Sequence, residues 1–114
     1  MAQSPTSRSL RELRERGYTC QIVEHFNSYI KRRIDLFGFI DILAIKGKET
    51  LAIQTTARMN NAQFRVRKIL NSKYYDLVKG AGWNIEVHGW RQLVIGKWKN
   101  GKNRKGWVNK VIEL

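Results

Sequence analysis

Asp35, Asp41 and Gln54 stand in the most apolar stretch of the chain, "DLFGFIDILAIKGKETLAIQTTA", residues 35–57. Carboxylates and a carboxamide are oxygen donors, and hard divalent cations such as Mg²⁺ take oxygen ligands. The spacing makes a pairing concrete. If Gly47 and Lys48 form a two-residue turn, Lys46 faces Glu49 and, counting outward, Asp41 lands opposite Gln54. Directly opposed residues have Cβ atoms about 4.5–5.5 Å apart, close enough for both oxygens to hold one ion. A one-residue slip in the turn separates them. An unpaired carboxylate buried in such surroundings costs on the order of several kcal/mol. Asp41 therefore needs a cation, a basic partner such as Arg33, a hydrogen bond to Gln54, or solvent at the strand end.

The elements that must carry these groups read as follows. "SLRE", Ser9 to Glu12, has the form of a capping box, and Leu10 and Leu13 supply the apolar stripe of a first helix that stops at Gly17. "YTCQIVEHF" is a first strand by its β-branched and aromatic content, followed by the polar, basic connection "NSYIKRR". "FGFIDILAI" and "TLAIQTT" are two more strands, joined by "KGKE" and nearly continuous in apolar residues, so the sheet is covered on both faces. Asn60 or Asn61 caps a longer second helix, with Val66, Ile69, Leu70, Tyr74, Leu77 and Val78 on one side and Gly80 or Gly82 at its end. "WNIEVHGW", "QLVIGKW" and "GWVNKVIEL" complete the set, the last two flanking "KNGKNRKG" with its Asn-Gly turn signal. The expected fold is α/β: one compact domain, residues 1–114, with a central mixed β-sheet flanked by helices in the order α-β-β-β-α-β-β-β.

The totals restrict what this domain can do. At 114 residues it can bury a modest core. A single cysteine, Cys20, excludes an internal disulfide and a cysteine-based zinc site and fits a reducing compartment, so a cytoplasmic location is expected. There is no apolar run long enough to span a membrane, and Glu12 and Glu15 argue against an organelle-targeting segment. His25 and His88 are too far apart to read as a metal motif; His88 beside Gly89 reads as structural or phosphate-facing. Charge is the strongest global signal. There are 22 Lys and Arg against 9 Asp and Glu, a net +13, and such an excess calls for a polyanion. Nucleic acid is the expected partner.

The run "LRERGYTCQIVEHF…IDLFGFIDILAIKGKETLAIQTTA" resembles the PD-(D/E)XK nuclease superfamily, especially archaeal-type Holliday junction resolvases. The resemblance spans about residues 9–90, leaving a basic β-hairpin at about 92–114. It implies a restriction-endonuclease-like core and Mg²⁺-dependent cleavage of DNA phosphodiester bonds, with Mn²⁺ as the other candidate ion. It also implies selectivity for branched or double-stranded DNA, and a homodimer that cuts two strands symmetrically. A nucleoid-associated or phage-encoded setting goes with such an activity. Carried over residue by residue, Asp41 takes the position of the motif aspartate and metal ligand. Gln54 stands where Glu is usual, its carbonyl oxygen still able to ligate, and Thr55 offers a backbone carbonyl. Thr56 occupies the position of the motif lysine and cannot supply its charge, which Arg58, Arg65 or Lys68 could bring from nearby. Glu24 is the preferred N-terminal acid and Glu12 its alternative; Asp35 either anchors Arg33 or stands close behind the metal. The missing lysine also fits a catalytically degenerate DNA-binding protein on the same fold, while charge alone fits a basic RNA-binding protein.

Candidate phosphate contacts fall in clusters. Arg8 and Arg11 belong to the first helix, and Lys31, Arg32 and Arg33 to the connection after the first strand. Arg65 and Lys68 lie on the second helix. Lys97, Lys99, Lys102, Arg104 and Lys105 form an arm near the C-terminus. No base-reading helix is evident, so backbone or shape recognition is expected, with affinity falling steeply in salt. The tryptophans Trp83, Trp90, Trp98 and Trp107 read first as packing residues.

Overall fold

The structure, a computed structural model, describes residues 4–57 and 59–114. Helix α1 (Pro5–Glu15) begins at Ser4, whose hydroxyl accepts the Ser7 amide at 3.1 Å, with Pro5 in the first turn where no amide is required. The capping box expected at Ser9 and Glu12 is therefore one turn too late. Both residues lie inside the helix and are used by other elements. Gly17 does terminate it, at φ +91°, its amide bonding the Arg14 carbonyl at 3.0 Å.

Strands β1 (Thr19–Ile22), β2 (His25–Asn27), β3 (Arg32–Ile34), β4 (Ile42–Lys46) and β5 (Glu49–Thr56) follow. Next come α2 (Met59–Leu70), α3 (Tyr75–Gly80), β6 (Asn84–Lys97) and β7 (Asn103–Glu113). The main sheet has the order β1-β4-β5-β6-β7, and β2-β3 form a separate hairpin. Neighbours are antiparallel except β5 and β6, which are parallel and joined through α2 and α3. The class is as expected, an α/β domain with a mixed sheet, but the element order is not.

Five departures have local causes. "YTCQIVEHF" is broken at Val23 and Glu24, because Val23 donates to the Asp41 carbonyl at 2.9 Å and the chain then leaves the sheet. The connection "NSYIKRR" is the turn of the β2-β3 hairpin, with Lys31 at φ 52° and Arg32 and Arg33 already in β3. Residues 35–41 are a tight loop rather than strand, closed by the Leu36↔Ile40 bridge, with Phe37 at φ 52° and Gly38 at φ +78°. The second helix is interrupted at 71–74, where Ser72 and its hydroxyl redirect the backbone; it starts at Met59, so Asn60 and Asn61 lie inside it. Gly82, at φ +85°, follows the last turn of α3. Finally, "WNIEVHGW" and "QLVIGKW" are one strand of 14 residues, interrupted only by a bulge between Val94 and Gly96.

Both faces of the sheet are covered, which explains the continuous apolar run in β5. Leu51 and Ile53 pack with Ile42 and Ala44 against Leu10 and Leu13 of α1. Ala52 packs with Ile85 and Val87 against Ala62, Ile69 and Val78 of α2 and α3. A buried polar network also ties α1 to β6. Trp90 Nε1 donates to Ser9 Oγ at 2.8 Å, and Ser9 Oγ lies 2.8 Å from His88 Nδ1. His88 Nε2 is 2.9 Å from Glu86 Oε1, and Arg16 reaches the same carboxylate at 3.4 Å. Serine, histidine and glutamate in that order have the form of a catalytic relay, but Ser9 and His88 are 0% exposed and no substrate can enter. The network is a structural tie. Among the described residues no helix is long and apolar enough to cross a membrane.

Candidate functional site

The hairpin that should set the site forms in the expected register, with Lys46 opposite Glu49 and pairs continuing to Ile42↔Ile53. One step further the ladder changes. The Asp41 amide turns back to the Ile53 carbonyl at 2.9 Å, so that Ile53 faces both Asp41 and Ile42. The Asp41 side chain turns to the following residue, and its Oδ2 accepts the Thr55 amide at 2.9 Å and the Thr55 hydroxyl at 3.3 Å. Asp41 and Gln54 are thus not a directly opposed pair, yet both line one cavity of about 730 Å³ at the end of β5.

The β2-β3 hairpin supplies two more acids. Its last pair is His25↔Ile34, so Glu24 and Asp35 stand one residue beyond it on either side of the open end. The Val23–Asp41 backbone bond holds that end against Asp41. One carboxylate oxygen from each of Glu24, Asp35 and Asp41 lies within 4.8 Å of the others.

Three carboxylates so close repel one another. Burial pushes the Asp41 carboxyl up to about 8; the Thr55 amide works against this, while the nearby Asp35 and Glu24 charges add to it. Gln54 is 2% exposed, and its Oε1 has no hydrogen-bond partner among the described residues. A buried acceptor without a donor normally costs on the order of 1–3 kcal/mol. A cation held among them would relieve both the crowded carboxylates and the orphaned carbonyl. Carboxylate and amide oxygens are the donors that Mg²⁺ and Mn²⁺ prefer, so the residues present fit such an ion.

The rest of the wall is basic or polar. Arg65 and Lys68 of α2 face the same cavity, and the Arg65 Nε is buried without a hydrogen-bond partner among the described residues. Arg33 pairs with Glu24 at 2.9 Å. The first turn of α1 closes another side, with Thr6 Oγ1 3.1 Å from Thr55 Oγ1 and no acidic residue in that turn.

The candidate residues therefore divide. Asp41, Gln54, Thr55, Glu24 and Asp35 come together, with Arg33, Arg65 and Lys68 at the wall. Asp35 belongs to the acidic cluster and does not anchor Arg33, which takes Glu24 instead. Glu12 is not at the cavity; its carboxylate accepts a short hydrogen bond from Asn109 Nδ2 on β7, because α1 turns that side toward the far strands. Thr56 is buried beside Gly89 and is not part of the cavity wall. Arg58 lies outside the described residues. Of the outlying cations, Arg11 pairs with Glu15 at 3.5 Å on the exposed side of α1, and Arg8 lies 3.9 Å above the Trp107 ring.

Sequence reasoning missed Thr6, His25 and Phe26, which also line the cavity. A hairpin centred on "NSYIK" was the available signal, since that pairing sets Glu24 and Asp35 side by side.

No family model, curated protein or solved structure matches the chain.

Proposed function

We propose that this protein is a divalent-metal-dependent DNA endonuclease of the PD-(D/E)XK type, selective for branched DNA and acting as a homodimer. The observation that carries this reading is the buried, unpartnered Gln54 Oε1 in a cavity it shares with the Glu24, Asp35 and Asp41 carboxylates. The order of elements around the main sheet, α1-β1-β4-β5-α2-β6, supports it, as does the net charge of +13. Mg²⁺ or Mn²⁺ bound by Asp41, Gln54 and the neighbouring acids would supply charge at the phosphoryl group and lower the pKa of a water.

The chain's own residues do the remainder. Arg65 and Lys68 hold and orient the phosphate from α2, where their charge also offsets what develops on its oxygens. The Thr55 amide fixes Oδ2 of Asp41 and leaves the other carboxylate oxygen for the cavity. The first turn of α1 lines the same space, and the positive end of its dipole favours an anion there.

Thr56 favours a second reading, a catalytically degenerate DNA-binding protein, because the position of the motif lysine carries no charge and lies off the cavity wall. One experiment separates the two. The purified protein is incubated with a four-way junction, linear duplex and single-stranded DNA, in Mg²⁺, Mn²⁺ or EDTA. Symmetric metal-dependent nicks near the branch point, absent in Asp41→Asn, are expected. Tight junction binding without cuts in either metal establishes the degenerate form, and preference for RNA over every DNA sinks both.

A further inference from the structure

Strand β6 outruns its neighbour. Its pairing with β5 ends at Thr56↔Gly89, and beyond Trp90 it continues to Lys97 with β7 alone beside it. At about 3.3 Å per residue, the eight steps from Gly89 to Lys97 carry the ribbon about 26 Å past the end of β5. That is half of the 52 Å long axis of the molecule. Because β5 and β6 are parallel, the ribbon leaves from the end of the sheet at which Gln54 and Thr55 face the cavity. Every β6 residue from Arg91 to Lys97 is exposed.

Its chemistry is one-sided. There is no acidic residue between Glu86 and Glu113, while Lys97, Lys99, Lys102, Arg104 and Lys105 crowd the far end. The tip is an ordered turn. The Trp98 amide donates to the Lys102 carbonyl at 2.8 Å and the Gly101 amide to the Trp98 carbonyl at 2.9 Å. Gly101, at φ +83°, takes a conformation suited to glycine, and the Asn100 side chain accepts the Lys102 amide at 3.0 Å. This holds Trp98 outward, 56% exposed, with the Arg104 guanidinium 5.6 Å from its ring centre.

We infer that the β6-β7 ribbon is an arm that grips duplex DNA beside the cavity, its cations on the phosphates and Trp98 against the far end of the contact. This deepens the nuclease reading, on which its DNA partner rests, by adding a second contact that sets where a duplex lies relative to the cavity. A two-stranded ribbon is a size that the major groove admits. From the level of Thr55, opposite His88, to Lys97 is nine residues, about 30 Å, or roughly nine base pairs at 3.4 Å each. Two other occupants fit less well. A second copy edge to edge brings like charges together. A bilayer is a poor fit because Leu93, Val94 and Ile95 lie mid-arm, behind the charged tip.

The test measures binding of the full chain to a 30-base-pair duplex in EDTA by fluorescence anisotropy across a salt series. Hydroxyl-radical footprints on the same duplex, and thermal midpoints as a control for folding, accompany it. One variant combines Lys97→Ala, Lys99→Ala, Lys102→Ala, Arg104→Ala and Lys105→Ala; a second is Trp98→Ala alone. The first should weaken binding roughly 100-fold and reduce the slope of log K against log salt by about 4. The second should shorten the footprint at one end with little change in slope. An unchanged slope and footprint in both overturns the arm, even if the wild type cleaves junctions. Loss of binding to phosphatidylserine vesicles with DNA binding intact overturns it in favour of a membrane. A collapse of DNA binding in the five-site variant, together with a wild type that never cleaves, leaves the arm standing and removes the nuclease.

Discussion

The Thr55 amide donates to Asp41 Oδ2 across 2.9 Å, although Asp41 lies just before β4 and the regular β4-β5 pairing has already ended at Ile42↔Ile53. That bond turns the Asp41 carboxylate out of the ladder and toward Glu24 and Asp35. The hairpin thereby delivers an acid to a cavity instead of to a cross-strand neighbour.

Protons and metal should compete at Asp41. In the unfolded chain its carboxyl ionises near the ordinary 3.8, whereas the folded group holds its proton up to about 8. The native state binds more protons between those values, so stability of the metal-free protein should fall as pH rises from 4 to 8. Added Mg²⁺ should reverse the trend, raising the thermal midpoint more at pH 8 than at pH 6. Thermal unfolding in EDTA and in Mg²⁺ across that range measures both.

Gln54→Glu should tighten divalent binding by about tenfold, since a carboxylate replaces a neutral oxygen among cationic ligands' natural donors. The same change should destabilise the metal-free protein by a few kcal/mol, because it buries a further charge beside three acids. Calorimetric titration with Mn²⁺ and urea unfolding without metal give the two numbers.

Arg33→Ala removes the partner of Glu24 at a pair whose arginine is 71% exposed. Its effect on stability should stay below about 1 kcal/mol. Glu24 is then free to turn to an ion, so metal affinity should rise or hold. A tenfold loss in a Mn²⁺ titration would show instead that Arg33 holds Glu24 in place for the ion.

Ser9→Ala leaves Trp90 Nε1 and His88 Nδ1 facing an apolar methyl, a cost of about 1–3 kcal/mol in urea unfolding. The neighbouring Glu86 adds a pH signature. Burial pushes its carboxyl up, but the bonds to His88 and Arg16 outweigh that and hold it below the ordinary 4.5. Its contribution is complete above 4.5 and is lost as pH falls through the lowered folded value. Glu86→Gln should therefore flatten the acid limb of the stability curve.

Much of the candidate site was legible because it depends on local rules. Apolar runs and the Gly47–Lys48 turn defined the β4-β5 register, and alternation along β5 followed. Charge named the class of partner to be expected. The arm, by contrast, was read as the separate strands "WNIEVHGW" and "QLVIGKW", divided at Arg91, the one charged residue between the two runs. Pairing to β7 along eleven residues overrides that local signal.

The sequence by itself determined the α/β class, the hairpin and the oxygen-rich stretch around Asp41, because side-chain periodicity and turn chemistry act over a few residues. Only the tertiary structure decided which acids join Asp41, that Glu12 is held by Asn109, and that Ser9 is a buried tie to His88. Those choices follow from how the β2-β3 hairpin and α1 dock on the sheet. Docking is set by the summed burial of distant apolar groups such as Leu13 and Ile53, which no local pattern of polar residues encodes.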